Sequence, residues 1–598
     1  MRPEGHGDRD GREWDTAMGN RGKRSGGPRS RASRPPRPRQ CVPKLLGADV
    51  ELGNFLVGVT RHGGTGPEAS RALLREFDGV PAKRWQTAPS AGTASGEGVV
   101  QSDPAWESSY RSDNGYSAAY PASSSLNLQD QGRKFLPSNG GCAYIDLDHL
   151  ELALPETRSA FDHVACWHAM LRLTRQAMEA ANHSARTARE QVAVLVNNSD
   201  GLGHSYGGHL NLLVTRRAWD NIFSRRLQYL LYLASFQTSA IVITGQGKVG
   251  SENGRPPASF QLSQRADFVD TLVGPQTTFN RPLVNSRDEP LCGGRYAWGT
   301  RGAAADPPGS HLARLHVIFF DSNLCQVAGL LKAGMMQIVL TMIEAEQVDP
   351  QLFLEDPLDA LGRWSRDPGL TSWARVAGGR RYTAVELHRR YFEAAARFVD
   401  QDRCEGLVPE ARRIVELWDD TLTKLEAREL DALAPRLDWA LKLSILNRAR
   451  ARRPDLEWDA PELKQLDHMY GSLDRSAGLY WAYERGGTVE QVVPESLIAR
   501  FVSAPPEDTR AWTRAMLLRR ADGDQTLEEV DWDRMRWRGR DWWAPARTLD
   551  MSHPLAFTRA ATGAAFDAIA GLDDLLDALG VARGPAVTTA STALVHVH

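Results

Sequence analysis

The chain has 598 residues, 42% of them hydrophobic and 24% charged, the balance of a soluble globular protein long enough for more than one domain. A formal net charge of −2 gives no whole-chain case for a nucleic-acid or membrane partner. Six scattered cysteines (Cys41, Cys142, Cys166, Cys292, Cys325, Cys404) contain no Cys-x-x-Cys pair, which points to neither a zinc site nor a disulfide framework and fits a reducing cytoplasm.

Residues 1–43 are rich in Gly, Pro, Ser and Arg, with eight basic residues and no acidic one between Arg21 and Arg39. Such a segment buries too little apolar surface to fold alone; it reads as a disordered tail, with RNA or an acidic partner as the alternative. The N-terminus has no apolar core of the signal-peptide kind. Gly47 to Gly53 reads as a strand on which Asp49 and Glu51 share a face. Residues 87–138, dominated by Ser, Gly, Ala, Asn and Asp, read as a long loop, either a functional lid or an insertion. Tyr144 to Glu151 reads as a second acidic strand, placing Tyr144, Asp146 and Asp148 on one face. Two carboxylate-bearing strands that converge repel each other unless a divalent cation neutralises them, and hard oxygen ligands suit Mg²⁺; solvated edge carboxylates are the alternative.

Phe161 to Asn182 is predicted as a helix, and Val192 to Val196 and Ile241 to Thr244 as strands. Asn197 to Gly201 and the glycine-rich Gly203 to Asn211 lead into a further strand carrying His209 and Asn211 on one face. Thr244 to Gly250 looks like a phosphate loop but lacks the Lys-Ser/Thr spacing of one. Leu315 to Phe320 reads as a strand, and Val327 to Ile343, interrupted by Lys332, as a buried helix rather than a membrane span. Thr383 to Val399 and Ala411 to Leu425 read as helices, and the small-residue tail after Pro585 as frayed. Strands interspersed with helices without regular alternation give an α+β core. Ser263-Gln264-Arg265, Arg281, Asn285 to Pro290 with Arg287, and Arg314-Leu315-His316 add cations suited to phosphate or carboxylate, or to structural salt bridges; as a set they resemble the lining of a nucleoside-triphosphate cleft.

From about Leu45 to Trp543, interrupted near 87–138 and 294–309, the chain resembles the Pup ligase / Pup deamidase (depupylase) family, relatives of glutamine synthetase. The resemblance is carried by Asn197-Asn198-x-Asp200, Ser205-Tyr206-Gly207, Phe260 to Arg265, Asn285-x-Arg287-Asp288-Glu289-Pro290, Arg314 to Ile318, Leu437-Asp438-Trp439, Gly478-Leu479-Tyr480 and Pro505 to Arg510. The five-residue spacing from Asp146 to Glu151, Gly245 to Gly250, Phe260-Gln261-Leu262, Ser365 to Pro368 and Pro505 to Arg510 lean towards the deamidase branch.

The resemblance implies a glutamine-synthetase-like catalytic domain over 44–485, with a curved antiparallel sheet packed with helices. A small C-terminal domain would follow over 486–580 and a disordered tail over 581–598. It implies ATP and Mg²⁺ as cofactors, and Pup or a Pup-like tail and pupylated proteins as partners, with no nucleic acid and no membrane. Asp146 matches the catalytic aspartate, and Asp49, Glu51, Tyr144 and Glu151 fall at the metal site. Trp532, Arg287, Arg265, Arg314 and His209 fall at the nucleotide. The implied activity is hydrolysis of a C-terminal Gln amide or an isopeptide bond in the Pup–proteasome pathway; the alternatives are ATP-dependent ligation and Pup binding without turnover. The chain departs from the pattern at Asp49 (Glu in the family), Cys142 (Arg), Leu154 (Thr) and Leu210 (Glu). The depupylase's Arg-rich loop ending in Phe-Asp-Leu is not recognisable within 87–138.

Overall fold

Apolar residues alternating with Gly, Asp and Glu from Leu46 to Gly53 open the strand Leu46–Leu56 (β1), the hub of the molecule. The computed structural model describes residues 41–59, 64–82, 132–185, 187, 190–288, 311–539 and 546–583. The expected basic tail up to residue 40, most of the 87–138 loop, the 294–309 insertion and the tail after Pro585 therefore lie outside the described residues.

One edge of β1 pairs with His149–Ala153 (β5), and β5 with Cys142–Asp146 (β4). The other edge is shared. Gly208–Thr215 (β7) takes its first half and Val192–Leu195 (β6) its second. Lys134–Phe135 (β3) and Val80–Pro81 (β2) extend the sheet beyond β4. Two small ribbons intervene, Lys248–Val249 with Phe260–Gln261 (β8, β9) and Val269–Gly274 with Arg281–Asn285 (β10, β11). Leu312–Val317 (β12) then closes the far edge against β7. Among the described residues this is an eight-stranded sheet paired antiparallel throughout.

Directly opposed residues in an antiparallel pair share a face. Ala48, Val50, Leu52, Ala143, Leu150, Leu152, Leu210, Leu212, Ala313 and Leu315 therefore build one apolar face, and all are buried in the main core. Gly66–Glu76 (α1), Ala160–Ser184 (α2) and the Gln326–Glu344 helix pack against this sheet. The last of these confirms the expected buried helix. It and Leu227–Thr244 are long and apolar enough to cross a membrane, but 94% and 83% of their residues are buried inside the protein.

Two expectations are corrected. Ile241 to Thr244 is the last turn of the Leu227–Thr244 helix, not a strand. A helix enclosed on all sides shows no 3.6-residue period, so a β-branched run at its end cannot be told from a strand. The acidic segment 144–151 is a hairpin and not one strand: β4 stops at Asp146, Leu147 and Asp148 turn with φ of 42° and 83°, and β5 starts at His149. Asp148 consequently leaves the face of Tyr144 and Asp146.

The Arg510–Arg520 helix and a four-stranded sheet (Leu527–Val530, Arg534–Trp537, Arg547–Asp550, Ala582–Arg583) surround a second apolar cluster that takes in Phe135, Cys142, Tyr144 and Ala153 of the main sheet. Glu156 ties the two clusters together. Arg510 Nε donates to its carboxylate at 2.7 Å, Arg514 pairs with it as well, and Arg514 also donates to Gly140 O at 2.9 and 3.0 Å. Gly140 has φ +79°, and a Cβ there would lie 2.7 Å from Ala511 O, so the helix and this turn demand glycine. Burial alone would raise the Glu156 carboxyl, but Arg514 and Arg510 outweigh it and hold the group at about 2. A depressed carboxyl contributes stability above its unfolded value and loses it as pH falls through the folded one. The urea midpoint of the wild type is expected to fall between pH 4.5 and about 2. Glu156→Gln, which leaves two buried guanidiniums short of their counter-ion, should lower stability at pH 7 by roughly 3–5 kcal/mol and flatten that acid limb.

Candidate active site

The other face of the same five strands is polar. Running across it are Arg314 and His316 on β12, His209 and Asn211 on β7, Asp49 and Glu51 on β1, Glu151 on β5, and Tyr144 and Asp146 on β4. The register puts Glu51 directly opposite Glu151, Glu151 opposite Tyr144, and Asp49 opposite His209. Side-chain oxygen and nitrogen atoms of Asp49, Glu151 and His209 lie within 4.8 Å of one another, as do those of Glu51, Asp146 and Glu151. Glu151 belongs to both triads.

Crowding sets the protonation here. Burial, then the charges of Glu51, Asp146 and Asp49, push the Glu151 carboxyl well above its usual range. Burial, Glu151 and Asp49 push the Tyr144 phenol up, and its hydroxyl bonds Glu151, so Tyr144 enters the cluster as a neutral donor. Burial, then Arg265, Arg281, Arg314 and Arg287, hold His209 well below the ordinary imidazole value, leaving it neutral and able to offer a lone pair. His316 is lowered for the same reasons, burial first and Arg314 second, and its ring meets His209 edge-on at 4.9 Å.

Hydrogen bonds fix the orientation of these groups. Asn211 Nδ2 donates to Asp49 Oδ2 at 2.8 Å, and Asn211 Oδ1 accepts from Arg314 at 3.0 Å and faces His316 Nδ1 at 2.8 Å. The Glu51 carboxylate accepts from the Gly207 backbone amide. A Cβ on Gly207 would stand 2.3 Å from His209 Nε2, so only glycine lets this loop approach. Arg265 donates to Tyr206 O and to Ser205 Oγ, and Arg281 to Ser205 O at 2.6 Å. Arg265 is thus committed to holding the 205–207 loop over the carboxylates. Lys248, in the loop with superficial phosphate-loop character, is buried between Glu252 and Asp267 at 2.9 and 2.8 Å and serves the interior.

A cavity opens beside Asp49, lined further by Leu154, Glu156, Asn211, Arg314, Arg510 and Trp532. The Trp532 indole meets Phe135 edge-on at 5.2 Å and the Arg514 guanidinium at 4.6 Å. Asp49 therefore stands where the carboxylate cluster meets an aromatic-walled cavity. The expected site residues gather as one neighbourhood: Asp49, Glu51, Tyr144, Asp146, Glu151, His209 and Arg314 on the sheet face, Arg287 and Arg265 acting on His209 through charge, and Trp532 in the cavity. Arg133, whose guanidinium lies 4.4 Å from the Tyr144 ring centroid, escaped the sequence reading because it sits at the end of the low-complexity stretch.

The donor set fits Mg²⁺: four carboxylates converge, and each triad leaves a like-charge cluster that a hard cation relieves. Fold and site together define an enzyme built on one face of an antiparallel sheet. The Pup-ligase protein profile matches residues 68–536, and the chain belongs to that family. It is 34% identical over 446 residues to the Pup deamidase/depupylase of Mycolicibacterium smegmatis, covering 74% of this chain and 82% of that one. It is likewise 34% identical over 426 residues to the Pup–protein ligase of Acidimicrobium ferrooxidans, covering 70% and 86%. Its fold matches that of the Pup ligase PafA in complex with Pup (TM-score 0.66, 22% identity, 90% of this chain and 92% of that one). It also matches PafA in complex with ADP (TM-score 0.61, 23% identity, 83% and 98%).

Removing one charge from the cluster should relieve repulsion and remove a cation ligand together. Without Mg²⁺, Glu151→Gln is expected to melt no lower than the wild type. In a calorimetric Mg²⁺ titration it should bind at least tenfold more weakly; equal Mg²⁺ affinity would exclude Glu151 as a ligand.

Proposed function

We propose that this chain is an ATP- and Mg²⁺-dependent amide hydrolase of the Pup deamidase/depupylase kind. Its substrate would be the side-chain amide of a C-terminal Gln on Pup or a Pup-like tail, or the isopeptide bond from such a tail to a protein lysine. The observation that carries this reading is Asp146, held at the last position of β4 with its carboxylate against Glu51 and Glu151. The deamidase-like relative, matched over most of both chains, supports the same assignment.

In this reading Asp49, Glu51, Glu151 and neutral His209 hold the cation, and Tyr144 orients Glu151 through its hydroxyl. Bound Mg²⁺ supplies the positive charge that neutralises the cluster and stabilises a developing oxyanion. Arg314 and Arg287 would supply positive charge to the nucleotide phosphates and Trp532 a ring to the base, while Arg265 secures the loop that caps Glu51. An Asp146 oxygen attacks the amide carbonyl, the C–N bond breaks, and the amine or ammonia leaves with a proton taken from solvent; water then cleaves the acyl–Asp146 bond, restoring the carboxylate and returning a proton to solvent. Activation of water by Asp146 for direct attack is the one-step equivalent.

Ligation is the second reading, favoured by an equally similar relative named as a Pup–protein ligase. There the tail carboxylate is activated as an acyl phosphate and Asp146 deprotonates the incoming lysine amine. Binding without turnover draws on Cys142 and Leu154, both buried where the resemblance expects polar groups. The third departure, Leu210, does not weaken the polar face, because position 210 points into the apolar core between His209 and Asn211.

Asp146→Asn should lower turnover roughly 100-fold or more while Mg²⁺-ATP binding persists. Ammonia and phosphate measured in one incubation with a Pup peptide separate the readings. Ammonia released without matching phosphate supports hydrolysis, whereas phosphate in step with an added amine supports ligation. Neither product, with the peptide still bound, supports the binding protein. Trp532→Ala should weaken ATP binding by about 0.5–1.5 kcal/mol or more, with far-ultraviolet circular dichroism unchanged; a cooperative loss of fold would mark Trp532 as a core residue instead.

A further inference from the structure

The turn that follows Asp146 is built from the wrong residues. A two-residue hairpin connection with positive φ at both positions normally takes Asn-Gly or Asp-Gly, because a Cβ is strained there unless, as in Asn and Asp, a short polar side chain bonds locally. Here the positions are Leu147, at φ 42°, and Asp148, at φ 83°. Leu147 is 36% exposed, so little burial offsets the strain. Something outside the turn must hold it.

That something is a buried hydrogen-bond chain from β1 through α1. Ser70 Oγ donates to the Asp148 carbonyl at 2.6 Å. Asn54 Nδ2 donates to Ser70 Oγ at 2.8 Å and to Gly66 O at 2.9 Å, while Asn54 Oδ1 accepts from the Leu150 amide at 2.9 Å. One asparagine thus grips both the start of β5 and the serine that grips the turn. The start of α1 presses on the same spot, since a Cβ at Gly66 would lie 3.1 Å from Asp148 O. Ser70 is buried among Ala69, Leu73 and Leu74, inside a helix, where alanine has the better propensity and needs no partner. Helix stability alone therefore does not call for a serine there; the Asp148 carbonyl does.

We propose that Ser70 and Asn54 are positioning residues that clamp the left-handed 147–148 turn and so aim the Asp146 carboxylate at the acyl carbon. This rests on the reading in which Asp146 acts on the substrate. With the clamp in place Asp146 pairs squarely with His149 at the end of the hairpin. Once it is released, Leu147 relaxes towards negative φ, and the last residue of β4 rotates with it. The cation ligands Asp49, Glu51 and Glu151 are carried by β1 and β5, upstream and downstream of the turn, and keep their places.

The test uses the full chain, assayed well below its melting temperature in whichever assay, ammonia or phosphate release, the wild type supports. Ser70→Ala should lower kcat about tenfold while KM for the peptide and the Mg²⁺-ATP Kd stay within twofold. Leu147→Asn, which suits the left-handed region, should restore kcat of Ser70→Ala to within about threefold of wild type. A kcat for Ser70→Ala within twofold of wild type overturns the proposal. So does a loss of kcat matched by an equal loss of Mg²⁺-ATP affinity, or a double variant no better than Ser70→Ala. Retained turnover in Asp146→Asn would instead remove the reading beneath it, whatever Ser70 does.

Discussion

Four carboxylates held on neighbouring strands with nothing but two-residue alternation to choose their side are the constraint around which this molecule is arranged. Asp49, Glu51, Asp146 and Glu151 repel each other, and burial strengthens that repulsion by keeping water out. The apolar face behind them, buried against three helices, supplies the rigidity that stops the strands from relaxing apart. Function and stability are therefore opposed across the thickness of one sheet. The core holds a cluster together that would gain by dispersing, and the resulting surplus of negative charge on oxygen donors is of the kind that suits a hard cation.

Most of the positive charge gathers on the His209 side of the cluster. Arg265, Arg281, Arg287 and Arg314 all bear on His209, which stays neutral between an acidic and a basic region, and the charges of Arg265 and Arg281 also reach Glu51. A guanidinium placed directly on Glu151 would form a stable ion pair and close the site to metal. Two devices preserve the separation: Asn211, which bonds Asp49 with one end of its amide and Arg314 with the other, and the Gly207 loop, which satisfies Glu51 with a backbone amide. Both are uncharged groups standing where an arginine would have neutralised a ligand. Glu156 is the contrasting case, a carboxylate given two arginines because its task is to join Arg510 and Arg514 to the sheet.

What was legible in the sequence follows from these physics. Asp49, Glu51, Tyr144 and Asp146 could be read because strands sort side chains by parity, and parity needs no tertiary information. Asp148 was misplaced because parity holds only while the strand continues, and Leu147-Asp148 carries none of the Gly or Asn punctuation that announces a hairpin turn. That absence is informative after the fact, since the turn is held from outside by Ser70, a residue 78 positions away in sequence. Ile241 to Thr244 failed for a different reason: full burial erases the periodicity that separates helix from strand. Arg133 and the Glu156 brace depend on long-range register, which local pattern does not encode. The convergence of Trp532 on Asp49 came from family resemblance and not from residue spacing, and the shared cavity gives it a physical basis.

Hydrolysis and ligation make the same first demand on this site. Asp146 has to be ionised, whether it attacks a carbonyl or takes a proton from an amine, yet it sits against Glu51 and Glu151. Coulomb repulsion among carboxylates at such separations is substantial at any effective dielectric below that of water, and a bound cation would relieve it. In the proposed reading a cation would serve the chemistry in either direction. Glu151, common to both triads, joins Asp49 beside the cavity to Asp146 on the other side of the cluster. In the proposed reading a nucleotide would be required for an amide hydrolysis without being consumed, because it would help these residues hold the cation. One sheet face can thus serve both branches of the family, with the direction decided by which partner, water or amine, is admitted beside Asp146.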